Sequence, residues 1–447
     1  MSRADLLASR VPRYTSYPTA PHFHTGIDAD VYESWLRDLS DGTPISLYVH
    51  VPFCDTLCWF CGCNTKVVNL YSPVASYLDL LRRELALVSA RLRGSHPVTH
   101  IHFGGGSPTM LQPNDFTSIA AHIRARFDVA PDAEFAVEID PRGLSDATIA
   151  AMAAAGVNRA SIGVQDIDPQ VQRAVNRIQP LNVTQAVIAK LRIASIDRLN
   201  VDIMYGLPHQ TVEKVQATVA AMAALRPNRI SVFGYAHVPH MKKHQALIDA
   251  DALPSSEARI EQWQAAEAAL LAAGYQAIGL DHFALPGDAM AVAAREGTLR
   301  RNFQGYTTDD APALIGIGAS AIGSLPQGYV QNESEVPRYR ERILKGALAA
   351  ARGVALTGSD RVRRAVIETL MSQLSVDLEK VAAAHGVPLS EFDAARTRLA
   401  DLVRHGFATI DGARIAVAPG ERSAVRLICA AFDEYLDPAA QRHALAV

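Results

Sequence analysis

Ile45-Ser-Leu-Tyr-Val-His-Val-Pro-Phe-Cys54-Asp-Thr-Leu-Cys58-Trp-Phe-Cys61-Gly-Cys63-Asn64 carries two signals in one stretch. Its first seven residues are a short, largely apolar run closed by Pro52, the pattern of a buried strand. Four of the chain's five cysteines then fall between residues 54 and 63. A disulfide framework uses well-separated cysteines in an oxidising compartment, and thiols this close cannot staple distant parts of a large fold. Thiolates crowded on one loop at a strand end point instead to a metal centre.

The rest of the chain limits what kind of protein carries that loop. Over 447 residues it is 49% apolar and 20% charged, with a formal net charge of −3. No apolar run reaches the ~18 residues a membrane span needs, so a soluble enzyme is expected. Residues 1–10 lack the apolar core and cleavage site of a secretory signal, so the thiols are expected in a reducing cytoplasm. Length alone suggests two or three domains. The near-neutral charge and the absence of a Lys/Arg block argue against nucleic acid as a partner. The pairs Arg82-Arg83 and Arg363-Arg364 read as solvated helix faces.

Outward from the cysteines, residues 46–280 alternate strand-like runs with helical stretches, the pattern of βα units on a parallel sheet. Strands are expected at 45–51, 99–103, 134–139, 159–164, 198–204, 229–233 and 275–279. Helices fall between them, at 75–93, 145–155 closed by Gly156, 212–225 ended by Pro227, and 256–273 closed by Gly274. Six or seven units are too few for an eight-fold barrel. The fold class is therefore α/β, a partial (β/α)6 barrel with its chemistry at the C-terminal strand ends. Beyond residue 350, helices at 361–373, 378–385 and 390–405 precede runs at 407–410 and 415–417 around Asp411-Gly412. That dipeptide is a two-residue turn signal, and a small winged-helix-like domain follows.

The spacing of the cysteines selects among metal centres. Structural zinc sites use two separated C-x2-C pairs, and only one such pair is present. A bacterial ferredoxin loop reads C-x2-C-x2-C with a remote fourth cysteine. Cys54, Cys58 and Cys61 read C-x3-C-x2-C, which can bind three irons of a [4Fe-4S] cube and leave the fourth open to a substrate. Cys429, alone in an apolar helix, reads as a buried small hydrophobe.

C-x3-C-x2-C at the end of the first strand of a partial βα barrel resembles the radical S-adenosylmethionine superfamily. That resemblance implies a cluster whose open iron chelates S-adenosylmethionine and whose electron releases methionine and a 5'-deoxyadenosyl radical. Gly104-Gly105-Gly106-Ser107-Pro108-Thr109, after the second strand, resembles the family loop that holds the methionyl ammonium. Further stretches narrow the branch: Arg13-Tyr-Thr-Ser-Tyr-Pro-Thr19, Tyr48-Val-His-Val-Pro-Phe-Cys54, Cys61-Gly-Cys63-Asn64, Glu138-Ile-Asp-Pro-Arg142, Asn200-Val-Asp-Ile-Met-Tyr-Gly-Leu-Pro-His-Gln-Thr211, Tyr235-Ala-His237, Arg301-Asn-Phe-Gln-Gly-Tyr-Thr307 and Gly353-Val-Ala-Leu-Thr357. Together they resemble the oxygen-independent coproporphyrinogen III oxidase family over nearly the whole chain.

The family implies conversion of two propionates of coproporphyrinogen III to vinyl groups, giving protoporphyrinogen IX in heme biosynthesis. No side-chain base removes an unactivated β-hydrogen, since acid–base catalysis contributes only about 10² to 10⁴; the cofactors supply the reactivity. A flavodoxin- or ferredoxin-type electron donor and a terminal electron acceptor are implied partners, and the protein is expected to be a monomer. The resemblance implies that Cys54, Cys58 and Cys61 ligate the cluster. Tyr48, Phe60, Gly105, Glu138, Gln165, Arg177 and Asp202 would line the S-adenosylmethionine site, and Gly106, Ser107, Ala236, Phe303, Gln304 and Ile322 a second one. Each has a plainer reading: Tyr48 and Phe60 as core aromatics, Glu138 and Asp202 as helix caps, Gln165 and Arg177 as surface residues.

Cys63, two residues from Cys61, points away from it in extended chain and is expected to act outside ligation. The oxidase branch carries this cysteine and the N-terminal Tyr-Thr-Ser-Tyr, whereas the related heme-chaperone branch lacks both. Arg13 and other N-terminal arginines are the expected clamps for a tetracarboxylate, and His50 and His237 are open between core and site roles. Trp59, Ser107 and Asp55-Thr56 depart mildly from the family pattern. The expected organisation is an N-terminal extension over the active site (1–45), a catalytic domain (46–350) and a mainly helical C-terminal domain (351–447). Three functions stay open: the oxidase, a heme chaperone of the same fold, and an iron–sulfur redox sensor acting through the winged domain.

Overall fold

The structure, a computed structural model, describes residues 3–7 and 9–436; Met1, Ser2, Ala8 and residues 437–447, parts of the expected N-terminal extension and C-terminal domain, lie outside the described residues. Its centre is a twelve-stranded sheet. In chain order the strands are β1 (Ile45–Val51), β2 (Pro97–Gly105), β3 (Asp128–Ile139), β4 (Arg159–Gln165), β5 (Arg198–Tyr205), β6 (Arg229–Gly234), β7 (Gln276–Ile278), β8 (His282–Ala284), β9 (Ala313–Ile317), β10 (Ile322–Leu325), β11 (Gly328–Asn332) and β12 (Ala350–Ala355). Their order across the sheet is β12-β11-β10-β9-β1-β2-β3-β4-β5-β6-β8-β7. The run from β1 to β6 is parallel throughout, as the βα alternation requires.

One expectation is corrected at the sheet's flanks. The stretch at 275–279 is not a seventh parallel strand: β7 pairs antiparallel with β8, and β8 antiparallel with β6. The seventh parallel strand is β9, beside β1, and β10 to β12 extend that edge as an antiparallel meander. β9, β10 and β11 are short and follow one another with no helix between them, and only the helix Val336–Leu344 separates β11 from β12, so this edge lacks the alternation that marks a βα unit.

A period of two decides what each strand presents. In β1, Ile45, Leu47, Val49 and Val51 belong to the main apolar core, as do Phe135, Val137 and Ile139 in β3 and Leu199, Val201 and Ile203 in β5. The helices cover that face, among them Ser72–Ser89, Asp146–Ala154 capped by the Ser145 hydroxyl, and Val212–Ala224 capped by Thr211. The alternate residues are mostly polar. Ser46, His100, Glu134, Arg159, Ser161, Asn200, Arg229 and His282 line an internal cavity of about 110 Å³.

The C-terminal region has its own core, built on the helix Gly358–Gln373 and including Phe392, Phe407, Ile415 and Ile428. Thr357 and Asp360 form a reciprocal capping box at the start of that helix. The expected hairpin is present as Ala408–Asp411 and Arg414–Val417, with Gly412 at φ +57°, and Ser375–Asp377 adds a third strand. The single helix expected at 390–405 is broken into Asp393–Arg398 and Ala400–Arg404. Arg363 does not lie on a solvated face: it is buried and bonded to Glu391 and Glu434. Leu6, Val11, Tyr14 and Tyr17 also belong to this core, so the N-terminal segment packs against the C-terminal elements.

Candidate active site

The cysteine loop leaves β1 at Val51 and is held along its whole length. Lys66 N–H donates to Pro52 O at 2.7 Å and Val68 N–H to Cys54 O at 3.0 Å. On one side Trp59 N–H reaches Val175 O at 3.0 Å and Asn176 Nδ2 reaches Leu57 O at 2.9 Å. On the other, Gln245 Nε2 donates to Phe60 O at 3.0 Å, His244 Nε2 to Cys61 O at 2.7 Å and Lys242 Nζ to Cys63 O at 3.0 Å. Phe60 itself packs against the apolar cluster of Val171, Leu207 and Tyr235.

All five cysteines are free thiols. Cys58 is buried and receives Arg142 Nη2 and Arg177 Nη1, each 3.4 Å from its sulfur. Asp140 aims those guanidiniums: it accepts from Arg142 Nη2 at 2.6 Å and from Arg177 Nη1 at 3.2 Å. Burial raises the Asp140 carboxyl, but Arg142 and Arg177 outweigh burial and hold it below the usual range. Cys54 contacts the Thr65 hydroxyl at 3.2 Å, and burial pushes its thiol up to about 11. Cys63 N–H donates to the Cys61 sulfur at 3.4 Å.

This donor set fits an iron–sulfur cluster held by Cys54, Cys58 and Cys61. Three uncommitted thiols share one clamped loop, and two guanidiniums stand ready to offset thiolate charge. Among the described residues no group of three or more His, Cys, Asp or Glu is arranged to hold a single metal ion.

Beside the loop, the glycines after β2 are required by packing. A Cβ on Gly105, at φ +118°, would stand 2.5 Å from the His50 ring, and one on Gly104 would stand 2.7 Å from Glu138 Oε1. Gly106 N–H donates to Val51 O at 2.9 Å and Ser107 N–H to Phe53 O at 2.7 Å, which ties the glycine loop to the cysteine loop. Glu138 accepts from Gly105 N–H at 3.0 Å and from His102 Nε2 at 3.1 Å. Burial raises its carboxyl, yet these bonds hold it below the usual range. Tyr48 Oη meets His50 Nδ1 at 3.0 Å, and His50 Nε2 donates to Asn64 O at 3.0 Å. Asp202 accepts from Ser161 Oγ at 2.9 Å and Asn200 Nδ2 at 2.7 Å, with burial raising its carboxyl. Gln165, at φ +71°, and Arg177 both stand 3.1 Å from where a Cβ on Gly163 would lie, and Arg177 donates to Gly163 O at 2.7 Å. Neither carboxylate caps a helix, and Arg177 is buried rather than on the surface.

Cys63 opens onto a separate cavity of about 630 Å³. Ala236, Phe303 and Gln304 line it together with His237, while Gly106, Ser107 and Ile322 lie outside it. Five arginines share its walls: Arg10, Arg13, Arg259, Arg301 and Arg426. Arg13 donates to Gly234 O at 3.0 Å and Arg426 to Pro12 O at 3.0 Å. Burial and the neighbouring Arg13 lower Arg426 to about 10. The sequence reading missed Asp140, Arg142, the 242–245 clamp, Arg259, Arg301 and Arg426 as site residues. Asp140 and Arg142 stood in a quoted motif, and their spacing of two on one strand end was the available signal.

Comparison with known proteins places this arrangement. The Radical SAM superfamily model matches residues 48–222 and the HemN C-terminal domain model residues 356–421. The chain is 52% identical to the oxygen-independent coproporphyrinogen III oxidase of Bradyrhizobium diazoefficiens over 100% of both chains. It is 41% identical to that of Paracoccus denitrificans over 100% of this chain and 99% of the relative. The solved coproporphyrinogen III oxidase (HemN) from Escherichia coli, a radical SAM enzyme, superposes with a TM-score of 0.91 at 38% identity, over 95% of this chain and 98% of that one. No helix among the described residues is long and apolar enough to cross a membrane. The strand order, the clamped cysteine loop and full-length identity agree, and the chain belongs to the oxygen-independent coproporphyrinogen III oxidase family of radical SAM enzymes.

Proposed function

We propose that this chain converts two propionates of coproporphyrinogen III to vinyl groups without oxygen, releasing carbon dioxide and giving protoporphyrinogen IX. One observation carries the reading. Cys63 joins the clamped cysteine loop to a cavity whose other walls hold five arginines. About 630 Å³ lies within the range of ligand sites and suits a macrocycle, and guanidiniums are the natural partners of its carboxylates.

A [4Fe-4S] cluster with S-adenosylmethionine, when bound, would supply the 5'-deoxyadenosyl radical that takes the propionate β-hydrogen, after which loss of carbon dioxide passes one electron per vinyl group to an external acceptor. Cys54, Cys58 and Cys61 would hold the cluster, with Arg142 and Arg177 stabilising thiolate charge. Tyr48, Gly105, Glu138, Gln165, Arg177 and Asp202 face the same barrel end and would receive S-adenosylmethionine, with Phe60 on the adjoining loop. Glu138 stays ionised there, which suits an ammonium group. Ala236, Phe303 and Gln304 lie in the arginine-lined cavity, where they would touch the macrocycle or a second S-adenosylmethionine. Cys63 sits at the junction and would act on the substrate side.

Anaerobic reconstitution followed by assay of 5'-deoxyadenosine and of protoporphyrinogen from coproporphyrinogen tests the reading. Both products are expected. Heme binding with no decarboxylation would sink it in favour of a chaperone.

A further inference from the structure

Four of the cavity's five arginines fall into two pairs of different kind. Arg13 and Arg426 spend hydrogen bonds on the protein: Arg13 on Gly234 O, and Arg426 on Val11 O and Pro12 O. They fasten the N-terminal segment over the cavity. Arg259 and Arg301 are different. Arg259 Nε is buried without a hydrogen-bond partner, and so are Arg301 Nε and Nη1. The Arg301 side chain is 5% exposed, and its nearest carboxylate, Asp281, stays at 3.9 Å. Each guanidinium is instead supported by an aromatic face. Arg259 lies 5.6 Å from the Tyr205 ring centroid and Arg301 4.4 Å from that of Tyr306.

Room for Arg259 is built into the backbone. Gly206, at φ +80°, lies where a Cβ would stand 2.2 Å from Arg259 Nη1. A buried guanidinium without its hydrogen bonds costs free energy unless a ligand supplies them. Asp281 does not fill that role: it bonds His282 at 2.8 Å and stays 3.9 Å from Arg301 Nη1, beyond hydrogen-bond reach.

We propose that Arg259 and Arg301 are the two carboxylate receptors of the cavity, each holding a propionate that is not reacting. Arg13 and Arg426 position the segment that closes the cavity and do not bind carboxylate. The inference rests on the functional reading above and goes beyond it in naming which arginines the substrate uses. A planar fork that meets a carboxylate with two parallel bonds fixes the macrocycle's rotation as well as its presence. A macrocycle held at two edges would then offer one propionate at a time to the side where Cys63 stands.

The test is fluorescence titration of the anaerobically reconstituted protein with coproporphyrin III, an unreactive tetracarboxylate, and with protoporphyrin IX, which has two carboxylates. Wild type is expected to prefer coproporphyrin. Arg259→Gln and Arg301→Gln should each weaken coproporphyrin binding by at least about tenfold, the usual worth of a hydrogen-bonded charge. Their effect on protoporphyrin should be smaller. Arg259→Lys should restore only part of the loss, because an ammonium lacks the fork. The Arg259 side chain makes no hydrogen bond to the protein, so its variants test the idea even if Arg301→Gln fails to fold. Coproporphyrin binding by Arg259→Gln within about twofold of wild type, a difference below the worth of one hydrogen bond, would overturn the proposal and leave the functional reading standing. Failure of wild type to bind coproporphyrin would overturn both.

Discussion

Arg177 reaches the Cys58 sulfur at 3.4 Å with the same Nη1 that donates to Asp140 at 3.2 Å. A buried cation is thus fixed on one thiol of the cysteine loop by a carboxylate from the end of β3. Arg177→Gln should cost about 3 kcal/mol of stability, as for a broken buried pair. It should also lower the iron retained after anaerobic desalting. Iron per chain and a denaturant midpoint measure the two effects, and unchanged iron would show that the cation serves packing alone.

Cys63→Ser should separate the loop's two sides. Iron content and 5'-deoxyadenosine formation are expected to persist, while porphyrinogen conversion falls by about 10²-fold or more, the scale of a lost acid–base or donor group. Loss of iron in this variant would return Cys63 to the cluster.

Glycine substitutions should differ sharply by place. Gly105→Ala meets both a left-handed φ and the His50 ring, and is expected to destabilise by about 2–4 kcal/mol and abolish S-adenosylmethionine cleavage. Gly358, in the first turn of a helix, has nothing within 4 Å of its Cβ position. Gly358→Ala should be neutral or stabilise by up to about 1 kcal/mol. Thermal unfolding of the two variants decides it.

Glu84 gives the fold a pH dependence of known sign. It is buried and accepts from Gly318 N–H at 2.6 Å, Asn332 Nδ2 at 2.7 Å and Tyr339 Oη at 2.7 Å. Burial outweighs these donors and raises its carboxyl to about 7. The folded state therefore binds a proton more tightly than the unfolded one. The stability this brings is complete below about pH 4.5 and is lost as pH rises through about 7, up to roughly 3 kcal/mol. Glu84→Gln should remove that slope, and denaturant midpoints at pH 5 and pH 8 for both proteins would show whether it does.

How much of this was legible follows from where the information lies in the chain. Strands β1 to β6 were readable because a parallel strand with helices on one face is a dense apolar run, and the cysteine spacing is entirely local. The strands β9 to β12 were missed because they are short, β10 having only four residues, and so give too few turns of the period. The clamp at 242–245 escaped notice because a 3-10 segment has no repeating face. The five arginines of the cavity come from residues 10, 13, 259, 301 and 426, so no window of sequence contains them. Only the fold assembles that charge.

The attachment of the N-terminal segment sets an order of assembly. Tyr14 donates to Asp433 at 3.0 Å, Glu434 N–H donates to Tyr17 at 3.1 Å, and Arg426 holds Val11 and Pro12. Residues 11–17 thus find their partners among residues 426–434, 414 to 419 positions later in the chain. The strands β1 to β6, which end at Gly234, and the cysteine loop precede those partners in the chain. The wall that Arg10, Arg13 and Thr15 give the arginine-lined cavity therefore forms only once the C-terminal elements are in place.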